Sequence, residues 1–242
     1  MKKITTILIL TTFILNIYGQ KPEETEDWSR KPEVVTPGKG TLPPSDAIVL
    51  YSAAGDLDNW ESEIDGPATW KASDILTVVS TDKKGIKTKQ AFGDVQLHIE
   101  WRAPKEVVGD GQGRGNSGIY LMGKYEVQVL DSYQSETYYN GQAGSIYKQS
   151  IPLVNACLPP GEWQTYDIIF KAPVFGIDGT KKSSAYVSVL HNGVLIQNHV
   201  EILGSTEFIG KPKNTPHPEK LPLLLQDHGN PVSYRNIWIR EL

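Results

Sequence analysis

Residues 94–102 read DVQLHIEWR, and the alternation in this stretch decides the fold. In an extended strand, successive side chains point to opposite faces. Val95, Leu97, Ile99 and Trp101 therefore share one face, and Gln96, His98, Glu100 and Arg102 share the other. A helix would scatter the same apolar residues around its circumference. The pattern predicts a β-strand with one face on a core and one polar face.

The same period recurs outward in both directions. In KYEVQVL (124–130), Tyr125, Val127 and Val129 point inward, and Lys124, Glu126 and Gln128 point the other way. TYDIIFKAP (165–173), AYVSVLHNGVLIQN (185–198) and SYRNIWIREL (233–242) continue the pattern. Asn192-Gly193 between two strand runs predicts a two-residue hairpin, because both positions tolerate positive φ. No long window carries an apolar repeat of 3.6 residues. Many alternating strands joined by turn-rich links predict an all-β sandwich or barrel. If their strands lie in one sheet, His98, Glu100, Arg102, Glu126 and Gln128 share a face that could hold a ligand. The alternative for each is a side chain that merely meets water.

The ends and the composition bound the rest. Met1-Lys2-Lys3 followed by the apolar run Ile4–Tyr18 reads as a secretion signal, too short for a membrane span. Residues 1–19 are expected to be removed, which predicts a secreted or periplasmic protein of bacterial type. With no cysteine near that site, a lipid or other stable membrane anchor is not expected. The chain of 242 residues carries a formal charge of −4 and has one cysteine, Cys157. No basic stripe is present, so nucleic acid is not an expected partner. With a single cysteine the fold rests on its own core. Residues 20–45, rich in Pro, Glu, Lys and Thr, read as a linker or a strap on the surface, and the globular part runs over 46–242. The oligomeric state is not legible.

A glycine-rich run, GDGQGRGNSG (109–118), precedes the strand at Tyr125. It lacks the Gly-Lys-Ser/Thr ending of a phosphate loop, and no helix pattern follows. Its first half reads as a flexible connection. Gly115-Asn116-Ser117-Gly118 brackets two short polar side chains with glycines, which lets backbone approach a ligand and makes Asn116 and Ser117 candidate contacts.

Glu126, Gln128 and Asp131 follow. The first two share a strand face, but Asp131 falls on the opposite one. A β-bulge near Val129-Leu130 would return Asp131 to the face of Glu126. The pattern Glu-x-Gln-x-x-Asp then resembles the catalytic Glu-x-Asp-x-x-Glu strand of the laminarinase-like glycosidases, glycoside hydrolase family 16. Gln128 stands where that family has Asp, and the last carboxylate is one methylene shorter. A double displacement with two carboxylates is not the expected chemistry.

Four stretches together carry a broader resemblance: LYSAAGDLDNWE (50–61), TKQAFGDVQLHIEWRAP (88–104), GNSGIYLMGKYEVQVLDSY (115–133) and PLLLQDHGNPVSYRNIWIREL (222–242). They resemble the 3-keto-disaccharide hydrolase domain family over about residues 49–242. In the entry motif, Ser52-Ala53-Ala54 departs from the usual Phe-Asp-Gly-Lys type of turn. The resemblance implies a concanavalin A-like jelly-roll β-sandwich of two antiparallel sheets. It also implies a secreted enzyme acting on sugars, including sugars oxidised at C3.

A C3 ketone acidifies the C2 proton, so a base can remove it and the C1 substituent can leave, with water adding afterwards. The chemistry requires a base, a group on the enolate oxygen and an acid. The resemblance implies Glu126 or Asp131 as base, Arg102 or His228 on the enolate, and Gln128 as a neutral contact to a sugar oxygen. Gln226, Asp227, His228 and Arg235 surround a tight turn, where His228 could equally cap the turn. Tyr133 and Tyr147 could stack on a sugar ring or serve core or rim. Trp60, Trp70, Trp101, Trp163 and Trp238 are expected in the core. His98, His191, His199 and His217 lack metal-ligand spacing, so no zinc and no cofactor is expected, while a structural Ca²⁺ on loop oxygens stays open. Three classes of function remain: an enzyme on 3-keto-glycosides, a conventional laminarinase-like glycosidase, and a carbohydrate-binding module.

Overall fold

The computed structural model describes residues 19, 21–79 and 84–242. The expected secretion signal, apart from Gly19, lies outside the described residues. The chain divides into two units, residues 1–34 and 35–242. The described part of the first carries a short 3-10 turn, Pro22–Thr25, and an exposed Trp28 whose Nε1 donates to Glu26 at 3.0 Å.

The second unit is built almost entirely of strands. In chain order they are β1 (Ile48–Tyr51), β2 (Trp60–Ser62), β3 (Lys71–Ala72), β4 (Leu76–Thr77), β5 (Ile86–Phe92), β6 (Val95–Arg102), β7 (Ser117–Leu121) and β8 (Tyr125–Val129). Then follow β9 (Gln164–Lys171), β10 (Val174–Phe175), β11 (Lys181–Ser183), β12 (Ala185–His191), β13 (Val194–Ile202), β14 (Leu221–Leu225) and β15 (Ser233–Glu241). The larger sheet runs β13-β12-β9-β6-β15-β4-β3, with β1 beside β15, and the smaller runs β2-β5-β14-β7-β8. All pairings between strands are antiparallel. The alternation leaves sandwich and barrel open, and the architecture is the two-sheet jelly-roll sandwich that the family resemblance implies. The Asn192-Gly193 hairpin is also present, with φ of 52° and 78° and His191 opposite Val194.

The apolar halves of the strands meet between the sheets. Val95, Leu97, Ile99 and Trp101 of β6 are all buried, as are Ile119 and Leu121 of β7 and Tyr125, Val127 and Val129 of β8. Each such aliphatic side chain removed from water stabilises the fold by about 1.5–3 kcal/mol. Tyr125 packs its ring on Phe170 of the other sheet at 5.8 Å. Two buried hydroxyls bridge the sheets. Tyr166 donates to the Gln128 carbonyl at 2.9 Å, and Tyr234 donates to Ser117 Oγ at 2.6 Å.

The two polar faces do not coincide. β6 belongs to the larger sheet and β8 to the smaller, so His98, Glu100 and Arg102 are separated from Glu126 and Gln128 by the core. On the outer face of the larger sheet, Arg102 and Arg235 stack on the half-buried Trp163 at 4.6 and 4.1 Å. Trp163 is therefore a surface platform and not a core residue. Arg235 also pairs with Glu100 at 2.6 Å.

Residues 35–45 lie across this outer face. Thr41 Oγ1 donates to Glu100 at 3.0 Å, and its carbonyl accepts from Asn236 and from Trp238 Nε1, each at 2.9 Å. Burial opposes ionisation of Glu100, but hydrogen bonds from Asn236, Arg235 and Thr41 outweigh it and hold the carboxyl below its usual range. His98 sits beside it, paired with Asp167 at 2.6 Å and stacked on Trp238.

Candidate active site

The β7–β8 hairpin presents its polar face outward. Met122 and Gly123, with φ of 55° and 62°, make the turn, and the Lys124 N–H donates to the Leu121 carbonyl. The pairing then sets Tyr120 opposite Glu126 and Gly118 opposite Gln128. On the far side of β8 the backbone continues into residues 144–147, where the Tyr147 N–H donates to the Glu126 carbonyl at 3.2 Å. The Glu126 N–H donates to Thr206 Oγ1 at 3.0 Å. Glu126 is thus held from three sides before its carboxylate does anything.

Gly118 makes room for that carboxylate. A Cβ at position 118 would lie 2.5 Å from Glu126 Oε1 and 2.8 Å from Tyr120 Cε2. The glycines bracketing Asn116-Ser117 are expected from the sequence to let backbone approach a ligand. At Gly118 the space instead admits the acidic side chain of the neighbouring strand.

A cavity of about 170 Å³ opens at this place. It is lined by Glu126, Gln128, Tyr120, Tyr147, Gln112 and Asn116, with Thr206, Phe208, Gln226 and His228 around them. Glu126 is 3% exposed. Burial pushes its carboxyl up to about 7, although a hydrogen bond with Tyr120 favours the ionised form. Burial likewise pushes the Tyr120 phenol upward, and the adjacent Glu126 carboxylate pushes it further, so Tyr120 stays a proton donor at neutral pH. Gln226 Nε2 donates to the Tyr120 hydroxyl at 3.4 Å. Tyr147 pairs with Tyr138 through their hydroxyls at 2.6 Å.

Gln128 links the carboxylate to the glycine-rich loop. In one amide orientation it donates to Gln112 Oε1 at 3.1 Å. With the amide turned, it donates to Glu126 Oε1 at 3.0 Å and to the Ser117 carbonyl at 2.9 Å. Asn116 is fixed by its side-chain bond to the Gln112 carbonyl and by a backbone bond to Asn230 Oδ1.

The structure gathers Glu126, Gln128, Asn116, Tyr147, Gln226 and His228 around one cavity, with His228 exposed at its rim. It does not bring Asp131, Arg102, Arg235, Ser117 or Tyr133 there. Pairing through β8 is regular to Val129, so the expected bulge between Gln128 and Asp131 is absent. Beyond β8, the Asp131 N–H donates to the Arg114 carbonyl. Three residues from Ser117 to Arg114 thus face two from Val129 to Asp131. The extra residue lies on the other strand, where Gly115 has φ of 56°. Asp131 pairs with Arg114 at 2.6 Å in a different cavity, at the Ala103-Pro104 and Asn230-Pro231 end of the sandwich.

Arg102 and Arg235 lie on the outer face of the other sheet. Ser117 faces inward and donates to the Gln226 carbonyl at 2.6 Å, and its hydroxyl accepts from Tyr234. Tyr133 is tied by its backbone to Asp131 and Arg114.

Tyr120, Gln112, Thr206 and Phe208 were not singled out from the sequence. Tyr120 had a local signal, since alternation in SGIYLMGKYEVQV about a Met122-Gly123 turn sets it opposite Glu126. Thr206 and Phe208 had none, because their loop is remote along the chain. Among the described residues, no group of three or more His, Cys, Asp or Glu side chains is arranged to hold a metal ion. No helix among them is long and apolar enough to cross a membrane.

Fold and site define a jelly-roll sandwich carrying a pocket with a buried, high-pKa carboxylate on the outer face of its smaller sheet. Residues 47–240 match the family described as the 3-keto-alpha-glucoside-1,2-lyase-like domain. A Parabacteroides distasonis protein provisionally described as a glycosyl hydrolase is 51% identical, with 97% of this chain and all of that chain aligned and a TM-score of 0.87. Two further provisionally described glycosyl hydrolases from the same organism, 18% and 21% identical, each align with 81% of this chain at a TM-score of 0.56 and share the fold. Their own chains are covered to 94% and 99%. No curated protein matches. The chain belongs to the family of 3-keto-alpha-glucoside-1,2-lyase-like domains.

Proposed function

We propose that this protein is a carbohydrate-active enzyme that cleaves 3-keto-glycosides by elimination across C1–C2. The observation that carries the reading is that Glu126 is the one carboxylate among the described residues lining the pocket. A retaining glycosidase places two carboxyl groups about 5–5.5 Å apart, one as nucleophile and one as acid. Here the neighbours of Glu126 are a phenol, Tyr120, and the amides of Gln128, Asn116 and Gln226. Such a set suits one base working among neutral hydrogen-bond donors.

The C3 ketone makes the C2 proton removable. The Glu126 carboxylate takes it, and the C–H electron pair forms the C2=C3 enolate. Donors from the amides and from His228 at the rim stabilise the enolate oxygen. Collapse of the enolate restores the ketone, forms C1=C2 and expels the C1 oxygen. The proton on Glu126 passes to the leaving oxygen, directly or through the Tyr120 hydroxyl, and the carboxylate is restored. Water added at C1 gives net hydrolysis. A base with a pKa near 7 suits proton transfer at neutral pH. Asp131 and Arg102 have no part, since neither reaches the pocket. Export from the cell rests on the basic and apolar start of the sequence.

The test compares turnover of a disaccharide with that of its 3-keto form, using substrate deuterated at C2. The 3-keto form alone should react, with a primary isotope effect. Equal turnover of both, without exchange of the C2 proton into solvent, would favour a conventional glycosidase. Binding without turnover of either would favour a carbohydrate-binding module.

A further inference from the structure

We propose that Phe208 forms a leaving-group subsite at the mouth of the Glu126 pocket, shaped for the apolar face of a second hexose ring. The inference rests on the reading above for the reaction, but on separate residues for the geometry. Phe208 lines the pocket together with Glu126 and Tyr147, yet it is 71% exposed. A large aromatic left in water at the edge of a polar pocket keeps a flat apolar face open to a ligand. It would be covered by a bound ring.

The aromatic is also held in place. Lys148 Nζ lies 4.3 Å from the Phe208 ring centroid and donates to the Phe208 carbonyl at 2.5 Å. The same ammonium sits over the rings of Tyr138 and Tyr147 at 5.6 and 5.5 Å. One cation thus ties the lip to the pocket wall. The base of the loop is pinned as well. Thr206 donates its N–H to the Lys124 carbonyl, Ser205 bonds Lys213, and Gln149 reaches the Gly204 carbonyl. A ring fixed before binding costs little ordering entropy when the ligand arrives.

The pocket proper is polar, with Glu126 buried in it and Phe208 exposed at its edge. With the oxidised ring placed so that its C2 meets the buried Glu126, the proposal sets the leaving group outward, at the exposed Phe208 lip. A pyranose presents an apolar C–H face there, and Phe208 offers a flat partner with no hydrogen-bond demand.

The experiment measures kcat/KM of wild type, Phe208→Ala and Lys148→Met on 3-keto-trehalose, methyl 3-keto-α-glucoside and 4-nitrophenyl 3-keto-α-glucoside. Loss of one aromatic face contact is expected to lower the trehalose-to-methyl selectivity roughly three- to tenfold in Phe208→Ala. Lys148→Met should move the ratio in the same direction by less, and Phe208→Tyr should restore it. Equal losses on the disaccharide and the methyl glycoside would overturn the subsite. A loss confined to the nitrophenyl substrate would overturn the hexose assignment. If wild type turns over none of them, the reaction fails but the subsite is still decided. Saturation-transfer NMR with unoxidised trehalose should then show weaker contact to Phe208→Ala than to wild type, with glucose as control. Identical spectra for the two proteins would overturn the subsite.

Discussion

Glu126 couples stability and activity with opposite sign. Its carboxyl titrates near 4.5 in the unfolded chain and about 7 in the folded one, because burial disfavours the charge. Between those values the native state binds the proton that the unfolded state has released. Stability contributed by the neutral acid is complete below about 4.5 and is lost as pH rises through about 7. Glu126→Gln should therefore be more stable than wild type at pH 8, by about 3 kcal/mol, and no different at pH 4. Chemical denaturation at the two pH values measures this, and equal stabilities at pH 8 would contradict the burial argument. The same substitution should cost ~10²–10⁴ in turnover of a 3-keto-glycoside. In wild type, kcat/KM should rise through a limb near pH 7.

Asp131 makes the contrast. Its side chain is 3% exposed and its partner Arg114 16%. Breaking a buried pair from one side costs about 3–5 kcal/mol. Asp131→Asn should lower the unfolding free energy on that order, yet leave the pH 7 limb where it is at a temperature where the variant is folded. Loss of the limb would contradict the assignment of Glu126 as the base.

At the scale of the element, the β7–β8 hairpin is the device that builds the site. Its turn fixes the register, the register sets Tyr120 against Glu126, and the missing side chain of Gly118 leaves space between them. Gly118→Ala would put a Cβ 2.5 Å from Glu126 Oε1. The colliding atoms belong to the ends of side chains and the residue does not need positive φ, so the strand should persist while the carboxylate is displaced. Turnover should fall at least about tenfold, since small misplacements of catalytic groups are costly. A thermal melt should stay close to wild type, and unchanged turnover would show that Glu126 tolerates the displacement.

On the scale of the whole molecule, both outer faces of the sandwich carry buried carboxylates, but they serve different ends. On the smaller sheet, Glu126 is left among neutral groups with its pKa raised. On the larger sheet, Glu100 is saturated by Arg235, Asn236 and Thr41 and its pKa is lowered. The strap of residues 35–45 supplies part of that saturation through Thr41. A chain beginning at Asp46 should lose Thr41's three hydrogen bonds and unfold about 2–4 kcal/mol more easily than one beginning at Val35. Urea titration of the two chains tests it, and equal midpoints would mean that the strap adds no stability.

The alternation of Val95–Trp101 and Tyr125–Val129 by itself determined that these segments are strands and which side chains enter the core. Strand geometry forces a period of two, and water selects the apolar face. The Asn192-Gly193 turn was equally legible, because positive φ is a local property. The polarity of Glu126 and Gln128 on one face followed from the same rule. Which sheet each strand joins was decided by tertiary structure alone. Polar residues on β6 and β8 look alike in sequence, yet pairing sends them to opposite sides of the molecule. Asp131 shows the limit most clearly. Its face depended on which of the two paired strands carried the extra residue. Gly115, at a φ of 56°, took up that residue on the partner strand, and Asp131 paired with Arg114. Phe208 and Thr206 reach Glu126 only because the chain folds their loop back over β8, a long-range contact that no local pattern encodes.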